Sequence, residues 1–198
     1  DTLDGGADTD TATYDTATAG VTVNLLTTVV QNTGGAGNDK LTNIESVIGS
    51  DFADTLTGNN SANTLSGGAG NDVINGRGGG DAMSGGLGDD RIYVDDAGDT
   101  VIFFYVKGTY TLYTAVNFTL TDSQSIEKIY VTGTAGLTLT GNSQANMIYG
   151  GAGTDTLYGG GGADTLNGQG GSDIMVGGAG HDNYYVDTVR DSVDEVAG

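Results

Sequence analysis

Between Gly49 and Ile102 an apolar side chain returns every ninth residue: Leu56, Leu65, Ile74, Met83, Ile92 and Val101. A period of nine fits neither the 3.6-residue turn of an amphipathic helix nor the strict alternation of a half-buried strand. It points to a solenoid whose unit is a tight turn plus a short strand. One inward side chain per unit is how a thin solenoid fills its core, so Met83 reads as core and not as a ligand. The polar positions keep the same period. From Gly67 to Tyr93 the units read GGAGNDVIN, GRGGGDAMS and GGLGDDRIY, with Asp72, Asp81 and Asp90 at the sixth position. Asp54, Asn63 and Asp99 extend that series on either side. The turn is GGxGxD and the strand is the last three residues.

Taken in order, the chain divides into partial repeats and a β-rich connector (1–48), a first block (49–102), an aromatic-rich β linker (103–132) and a second block (133–198). Residues 5–13 (GGADTDTAT) form one unit, with Asp1 and Asp10 nine apart. Residues 14–33 alternate Thr and Val around Leu25 and Leu26, a composition that favours strands. Residues 34–42 (GGAGNDKLT) read as one further unit, and residues 43–48 (NIESVI) as an insertion. Because the chain opens on the second half of a unit and closes near another, it reads as a piece of a longer protein. The linker holds Phe103, Phe104, Tyr105, Tyr110, Tyr113, Phe118 and Tyr130, and its alternation predicts a wider stretch of sheet. In a chain otherwise poor in large side chains, such aromatics more often build a local core than an exposed sugar- or protein-binding face.

The second block repeats the first. GNNSANTLSGGAGND at 58–72 aligns with GNSQANMIYGGAGTD at 141–155, an offset of 83, whereas the units starting at Gly85 and Gly177 align at 92. The difference is one extra nonapeptide. Its sixth positions are Asn146, Asp155, Asp164, Asp173, Asp182 and Asp191.

Charge turns this pattern into chemistry. Among 198 residues there are 26 acidic against 6 basic side chains, a net charge of -20, with 37 Gly and no Pro, Cys or Trp. Such acidity argues against nucleic acid or an anionic membrane as partner and in favour of cations. No apolar run is long enough for a membrane span, and no secretory leader is recognisable. In a stacked parallel sheet, equivalent carboxylates would lie about 4.8 Å apart. They would repel by roughly 1 kcal/mol in water and about 3 to 4 kcal/mol at an effective dielectric of 20. A hard divalent cation reverses that sign. Calcium takes about 6 to 8 oxygens and accepts backbone carbonyls, which glycine turns can point inward; zinc or copper would want His or Cys. With one His and no Cys, the chain favours calcium. Catalysis finds no support: His181 sits at a variable turn position, the pairs Asp89-Asp90 and Asp95-Asp96 are explained by the turns, and HExxH, GxSxG and phosphate-binding signatures are absent.

These units resemble the RTX, or haemolysin-type, calcium-binding nonapeptide GGxGxDxUx. The resemblance implies an all-β fold, a right-handed parallel β-roll (β-solenoid) in two blocks joined by irregular or wider β segments. Two nonapeptides would complete one coil, stacking Asp54, Asp72 and Asp90 on one edge and Asn63, Asp81 and Asp99 on the other. It also implies ions held between turns eighteen residues apart, by the Asp and two carbonyls of each turn. The best-formed sites are then Gly68, Gly70 and Asp72 with Gly85, Leu87 and Asp90; Gly151, Gly153 and Asp155 with Gly168, Gly170 and Asp173; and Gly160, Gly162 and Asp164 with Gly177, Ala179 and Asp182. On the same pattern Gly67 and Ala69, Gly76, Gly78 and Gly79, Gly159 and Gly161, and Gly171 offer carbonyls, and Asp54, Asp99 and Asp191 close the arrays. Arg77 and Gln169 replace the second Gly, which predicts strained turns. Asn63 and Asn146 predict weaker sites, and residues 94–99 and 186–191 poorly formed terminal turns. Up to about eight calcium ions follow, cancelling about 16 of the 20 excess negative charges.

The resemblance further implies a secreted or cell-surface bacterial protein, exported by a type I route and ordered by calcium outside the cell. As a structural, spacer or adhesive section it would meet calcium and a polysaccharide or neighbouring surface-protein domains. The alternative is the carboxy-terminal module of a secreted enzyme such as a protease, lipase or alginate epimerase. The first is favoured because the chain contains only repeats and linkers. Ice binding is disfavoured, since the fifth positions form no Thr or Asn ladder.

Overall fold

The computed structural model describes residues 1–102 and 108–195; Phe103, Phe104 and Tyr105 lie outside the described residues. The described residues form strands and turns with no helix. They fall into two compact units, Asp1–Gly108 and Thr109–Gly198.

In the first unit two rows of parallel strands stack. One row runs Thr11–Thr13, Ser46–Ile48, Thr64–Ala69, Ala82–Leu87 and Thr100–Val101; the other runs Thr22–Asn24, Thr55–Thr57, Val73–Asn75 and Arg91–Val94. Within the block the register is eighteen residues, with Leu65 opposite Met83, Leu56 opposite Ile74 and Ile74 opposite Ile92. Two nonapeptides therefore complete one coil. Three-residue strands suffice because each carries a single core side chain: Leu56 is fully buried between exposed Thr55 and half-buried Thr57. Leu65, Ile74, Met83 and Ile92 are likewise at most 1% exposed, which makes Met83 a core residue.

Residues 34–42 depart from the repeat they were expected to form. Gly37–Thr42 pairs antiparallel with Gln31–Gly34 and parallel with Thr2–Asp4, in a separate three-stranded sheet. Gly34 (φ 70°) and Gly37 (φ 96°) make the hairpin corner. Asp39, at the sixth position, accepts a 2.7 Å hydrogen bond from the Thr33 hydroxyl instead of joining a stack of turns. The coils on either side close over this excursion, so Thr11–Thr13 pairs with Ser46–Ile48 and Thr22–Asn24 with Thr55–Thr57.

The second unit has the same two-row plan. Thr111–Thr114, Lys128–Val131, Met147–Tyr149, Thr165–Asn167 and Asn183–Tyr185 form one row; Phe118–Thr119, Thr138–Thr140, Thr156–Gly161, Ile174–Ala179 and Ser192–Asp194 form the other. The described part of the aromatic segment is the irregular start of these rows. Its coils have uneven length, placing Leu112 opposite Ile129, Ile129 opposite Ile148, and Phe118 opposite Leu139. Tyr110, Leu112, Leu120, Ile126 and Ile129 are buried there. Tyr113, Tyr130 and Tyr149 instead point outward as a half-buried ladder, with ring centroids 5.4 and 4.5 Å apart.

Candidate metal centre

Each turn closes with an aspartate that reaches across the coil. The backbone N–H of one sixth-position residue donates to Oδ1 of the aspartate eighteen residues later: Asp54 to Asp72 and Asp72 to Asp90 at 2.8 Å on one edge, Asn63 to Asp81 at 2.8 Å and Asp81 to Asp99 at 2.9 Å on the other. The second unit repeats this with Leu137 to Asp155, Asn146 to Asp164, Asp155 to Asp173, Asp164 to Asp182 and Asp173 to Asp191. The carboxylate thus continues the strand ladder where backbone pairing stops.

The other oxygen is left over. Oδ2 of Asp72, Asp81, Asp90, Asp155, Asp164, Asp173 and Asp182 is buried with no hydrogen-bond partner. An unpaired buried charge is costly, and a cluster of seven at one repeating position needs an explanation. Its electrostatic signature is consistent. Burial, with the like charges of Asp90 and Asp54, pushes the Asp72 carboxyl up to about 7. Burial also raises Asp81 and Asp164 to about 6, and moves Asp90, Asp155 and Asp173 upward.

The first glycine of the turn leaves room beside that oxygen at Asp72, Asp81, Asp90, Asp155, Asp164 and Asp173, whereas at Asp182 the Tyr184 hydroxyl stands against Gly177 and accepts its N–H at 2.8 Å. A Cβ on Gly150 would stand 2.7 Å from Asp155 Oδ2 and 2.9 Å from the Gly168 carbonyl. On Gly67 it would meet Asp72 Oδ2 and, at 2.6 Å, the Gly85 carbonyl; on Gly159, Asp164 Oδ2 and, at 2.5 Å, the Gly177 carbonyl. Gly76, Gly85 and Gly168 stand in the same way against Asp81, Asp90 and Asp173. Beside Asp72, Asp155 and Asp164, a carboxylate oxygen of one coil and a carbonyl of the next therefore flank one small space without a proton between them. Donors that are all oxygen, charged and neutral, fit calcium and give zinc or copper no preferred ligand.

The remaining expected ligands differ in availability. The carbonyls of Leu87, Gly151 and Ala179 each already accept a 2.8 Å hydrogen bond, from the N–H groups of Gly70, Gly170 and Gly162, and keep one lone pair. Those of Gly68, Gly70, Gly153, Gly160 and Gly162 abut the α-carbons of Gly86, Gly88, Gly171, Gly178 and Gly180, where any side chain would collide. Ala69 and Gly161 donate their N–H groups to the Ser50 and Asn142 carbonyls, and Gly78 and Gly79 line the turn before Asp81. Asp54 and Asp99 are held by protein donors on both oxygens. Asp54 takes Val21 N–H at 2.6 Å and the Ser50 hydroxyl at 2.8 Å on Oδ1, and Ser50 N–H at 2.6 Å on Oδ2. Asp99 Oδ2 takes the N–H groups of Asp95 and Asp96, both at 3.1 Å. Asn63 and Asn146 use their amides to donate to the Glu45 and Ile126 carbonyls, so an N–H stands where an aspartate would leave an orphan oxygen. His181 is exposed.

Two carboxylates were not singled out as ligands from the sequence. Asp10 has an unpartnered buried Oδ2 and sits at the sixth position of residues 5–13, a signal the sequence did contain. Asp187 lies outside the consensus, yet an oxygen of Asp187 gathers with one each from Asp173 and Asp191, all within 4.8 Å of one another.

Arg77 and Gln169 adopt the left-handed conformation that glycine would take, with φ of 64° and 61°. Each N–H is held at 2.9 Å by the side chain two residues earlier, Asn75 or Asn167. Left-handed backbone costs an L-residue roughly 1 to 2 kcal/mol, of which glycine's greater freedom when unfolded returns part. Gln169→Gly should therefore stabilise the calcium-loaded chain by up to about 1 kcal/mol. The check is the thermal midpoint, and a lower midpoint would show that the side chain contributes contacts outweighing the strain.

Fold and site together define a parallel β-roll whose turns present stacked carboxylates and carbonyls to divalent cations. The RTX calcium-binding nonapeptide repeat, as a family model of four copies, matches residues 48–83, 132–166 and 149–184. The chain carries RTX calcium-binding repeats in both of its blocks. No curated protein matches it.

Proposed function

We propose that this chain is a calcium-ordered module of a secreted or cell-surface bacterial protein, exported unfolded by a type I route and serving outside the cell as a structural, spacer or adhesive section. The observation that carries this is the row of buried aspartate oxygens without partners, which at Asp72, Asp155 and Asp164 lie beside a carbonyl of the next coil. Calcium supplies the positive charge those oxygens lack. The ligands we assign are the sixth-position aspartates from Asp72 to Asp90 and from Asp155 to Asp182, with the carbonyls of the flanking glycine turns. The backbone N–H to Oδ1 bonds from the residue eighteen earlier hold each carboxylate in place, and the first glycine keeps the space open. At cytosolic calcium a chain of net charge -20 pays the repulsion in full and stays unfolded; at extracellular calcium, binding free energy becomes folding free energy.

Circular dichroism during a calcium titration at neutral pH tests this. Strand signal should appear with calcium and vanish with a strong chelator; strand content indifferent to the chelator would end the proposal. A second reading, a module of a secreted enzyme that also touches a glycan, would draw on the tyrosine ladder. Tyr130 is stacked between Tyr113 and Tyr149 and all three rings are half-buried, so the first reading is preferred.

A further inference from the structure

The eighth residue of each unit is the inward apolar one, but in the unit that begins at Gly177 it is Tyr184. Tyr184 pairs with Leu166 in the strand ladder, and Leu166 is fully buried. The phenol carries a polar tip from this core position to the turn. There its hydroxyl accepts the Gly177 N–H at 2.8 Å and donates to a Glu195 carboxylate oxygen. In four other turns the first glycine donates directly to the backbone carbonyl seventeen residues later: Gly49 to Ser66, Gly58 to Asn75 and Gly141 to Tyr158 at 2.8 Å, and Gly150 to Asn167 at 2.9 Å. The counterpart for Gly177 is the Asp194 carbonyl, which lies 3.5 Å from the phenol oxygen. The hydroxyl is therefore wedged into the rung between two coils.

The same hydroxyl stands beside Asp182. A Cβ on Gly177 would meet both the Tyr184 hydroxyl and Asp182 Oδ2. At Gly67, Gly150 and Gly159 the atom that shares this space with the aspartate oxygen is instead a carbonyl of the next coil, and at Gly85 the three nearest atoms all belong to Asp90. Asp182 Oδ2 keeps no partner, because the phenol has one proton and gives it to Glu195. The Tyr–Glu pair is particular to this end. In the aligned ending of the first block, at the offset of 92, Ile92 and Phe103 hold the positions of Tyr184 and Glu195.

We propose that Tyr184 is the stopper of the ion array on this edge of the second block: its hydroxyl, held by Gly177 and Glu195, fills the room beside Asp182 that a further calcium ion would take. The inference rests on the calcium-binding reading of the roll and changes what the repeat pattern implies at this turn, since GGAGHD at 177–182 meets the consensus yet ends the array. Asp182 is left to serve only the site it shares with Asp164. Without the phenol, Asp182 Oδ2 and the Glu195 carboxylate would face one vacated space, and two charged oxygens there favour a hard divalent cation.

Calorimetric titration of the full chain with calcium chloride tests this, with circular dichroism in excess calcium to confirm that each variant folds. Tyr184→Leu, which copies the Leu166 of the preceding coil, should bind one more ion than the parent. Adding Glu195→Gln should remove that ion or weaken it by about tenfold or more. An unchanged or lower count in Tyr184→Leu would overturn the inference, and so would an extra ion that survives Glu195→Gln at full affinity. If Tyr184→Leu does not fold, Tyr184→Phe keeps the ring and removes only the hydroxyl. It should keep the parent's ion count and lower the thermal midpoint in calcium by about 2 °C or more; an unchanged midpoint would overturn the wedge. If the parent chain binds no calcium, the functional reading itself has failed; if it binds calcium and Tyr184→Leu gains nothing, only the stopper has.

Discussion

Gly159→Ala is expected to weaken calcium binding to the second unit by at least about tenfold and to destabilise its ion-loaded form by about 1 to 3 kcal/mol, the usual range for overpacking. The added methyl would point into the space flanked by Asp164 Oδ2 and the Gly177 carbonyl, 2.5 Å from the latter. The carboxylate would have to rotate away or the coils to part, and either removes an oxygen from the site. Backbone strain plays no part in this argument, because Gly159 is not among the residues with positive φ. Gly161→Ala is the matched control within the same turn. Its new Cβ would find nothing nearer than 3.6 Å, an ordinary contact, so binding and stability should stay within about 0.5 kcal/mol of the parent. Calcium titrations followed by circular dichroism separate the two. Equal midpoints for Gly159→Ala and the parent would mean that the space beside Asp164 holds no ion.

The contrast between these two glycines shows what the sequence could convey. A nine-residue period with Gly at the first position and Asp at the sixth repeats its chemistry, so coil length, core side chains and stacked aspartates were all legible. What a residue does once its neighbours differ was not. Residues 34–42 satisfy the consensus as well as residues 67–75 do, but a hairpin partner at Gln31–Gly34 captures them first. Asp54 and Asp99 occupy the right position and yet are saturated, by Ser50 in one case and by the N–H groups of Asp95 and Asp96 in the other. Spacing alone does not reveal that competition, because it depends on how a single turn is folded. The tyrosine ladder is hidden for a related reason. Tyr113, Tyr130 and Tyr149 stack only because successive coils in that segment are unequal in length, so no fixed period connects them.

Acidification should act on the chain with opposite signs in the presence and absence of calcium. In the ion-free roll burial, followed by like-charge neighbours, holds Asp72 up to about 7 and Asp81 and Asp164 up to about 6, whereas an unfolded aspartate titrates near about 3.9. The folded form therefore binds protons more tightly than the unfolded one. Its stability without calcium is greatest below about pH 4, where both forms are protonated, and is lost as pH rises through 6 to 7. A chelated sample should thus gain strand signal on moving from pH 7.5 to about pH 4.5. Calcium requires the deprotonated carboxylates, so over the same interval its apparent affinity should fall and the titration midpoint move to higher concentration. General relief of self-repulsion would also favour compaction in acid, and Asp72→Asn with Asp164→Asn isolates the local contribution. Asn63 and Asn146 already show that an amide at this position finds a carbonyl acceptor. At neutral pH without calcium the double variant should therefore hold more strand than the parent, and with calcium it should bind fewer ions. A double variant no more structured than the parent in chelator would place the acid response elsewhere than in these buried oxygens.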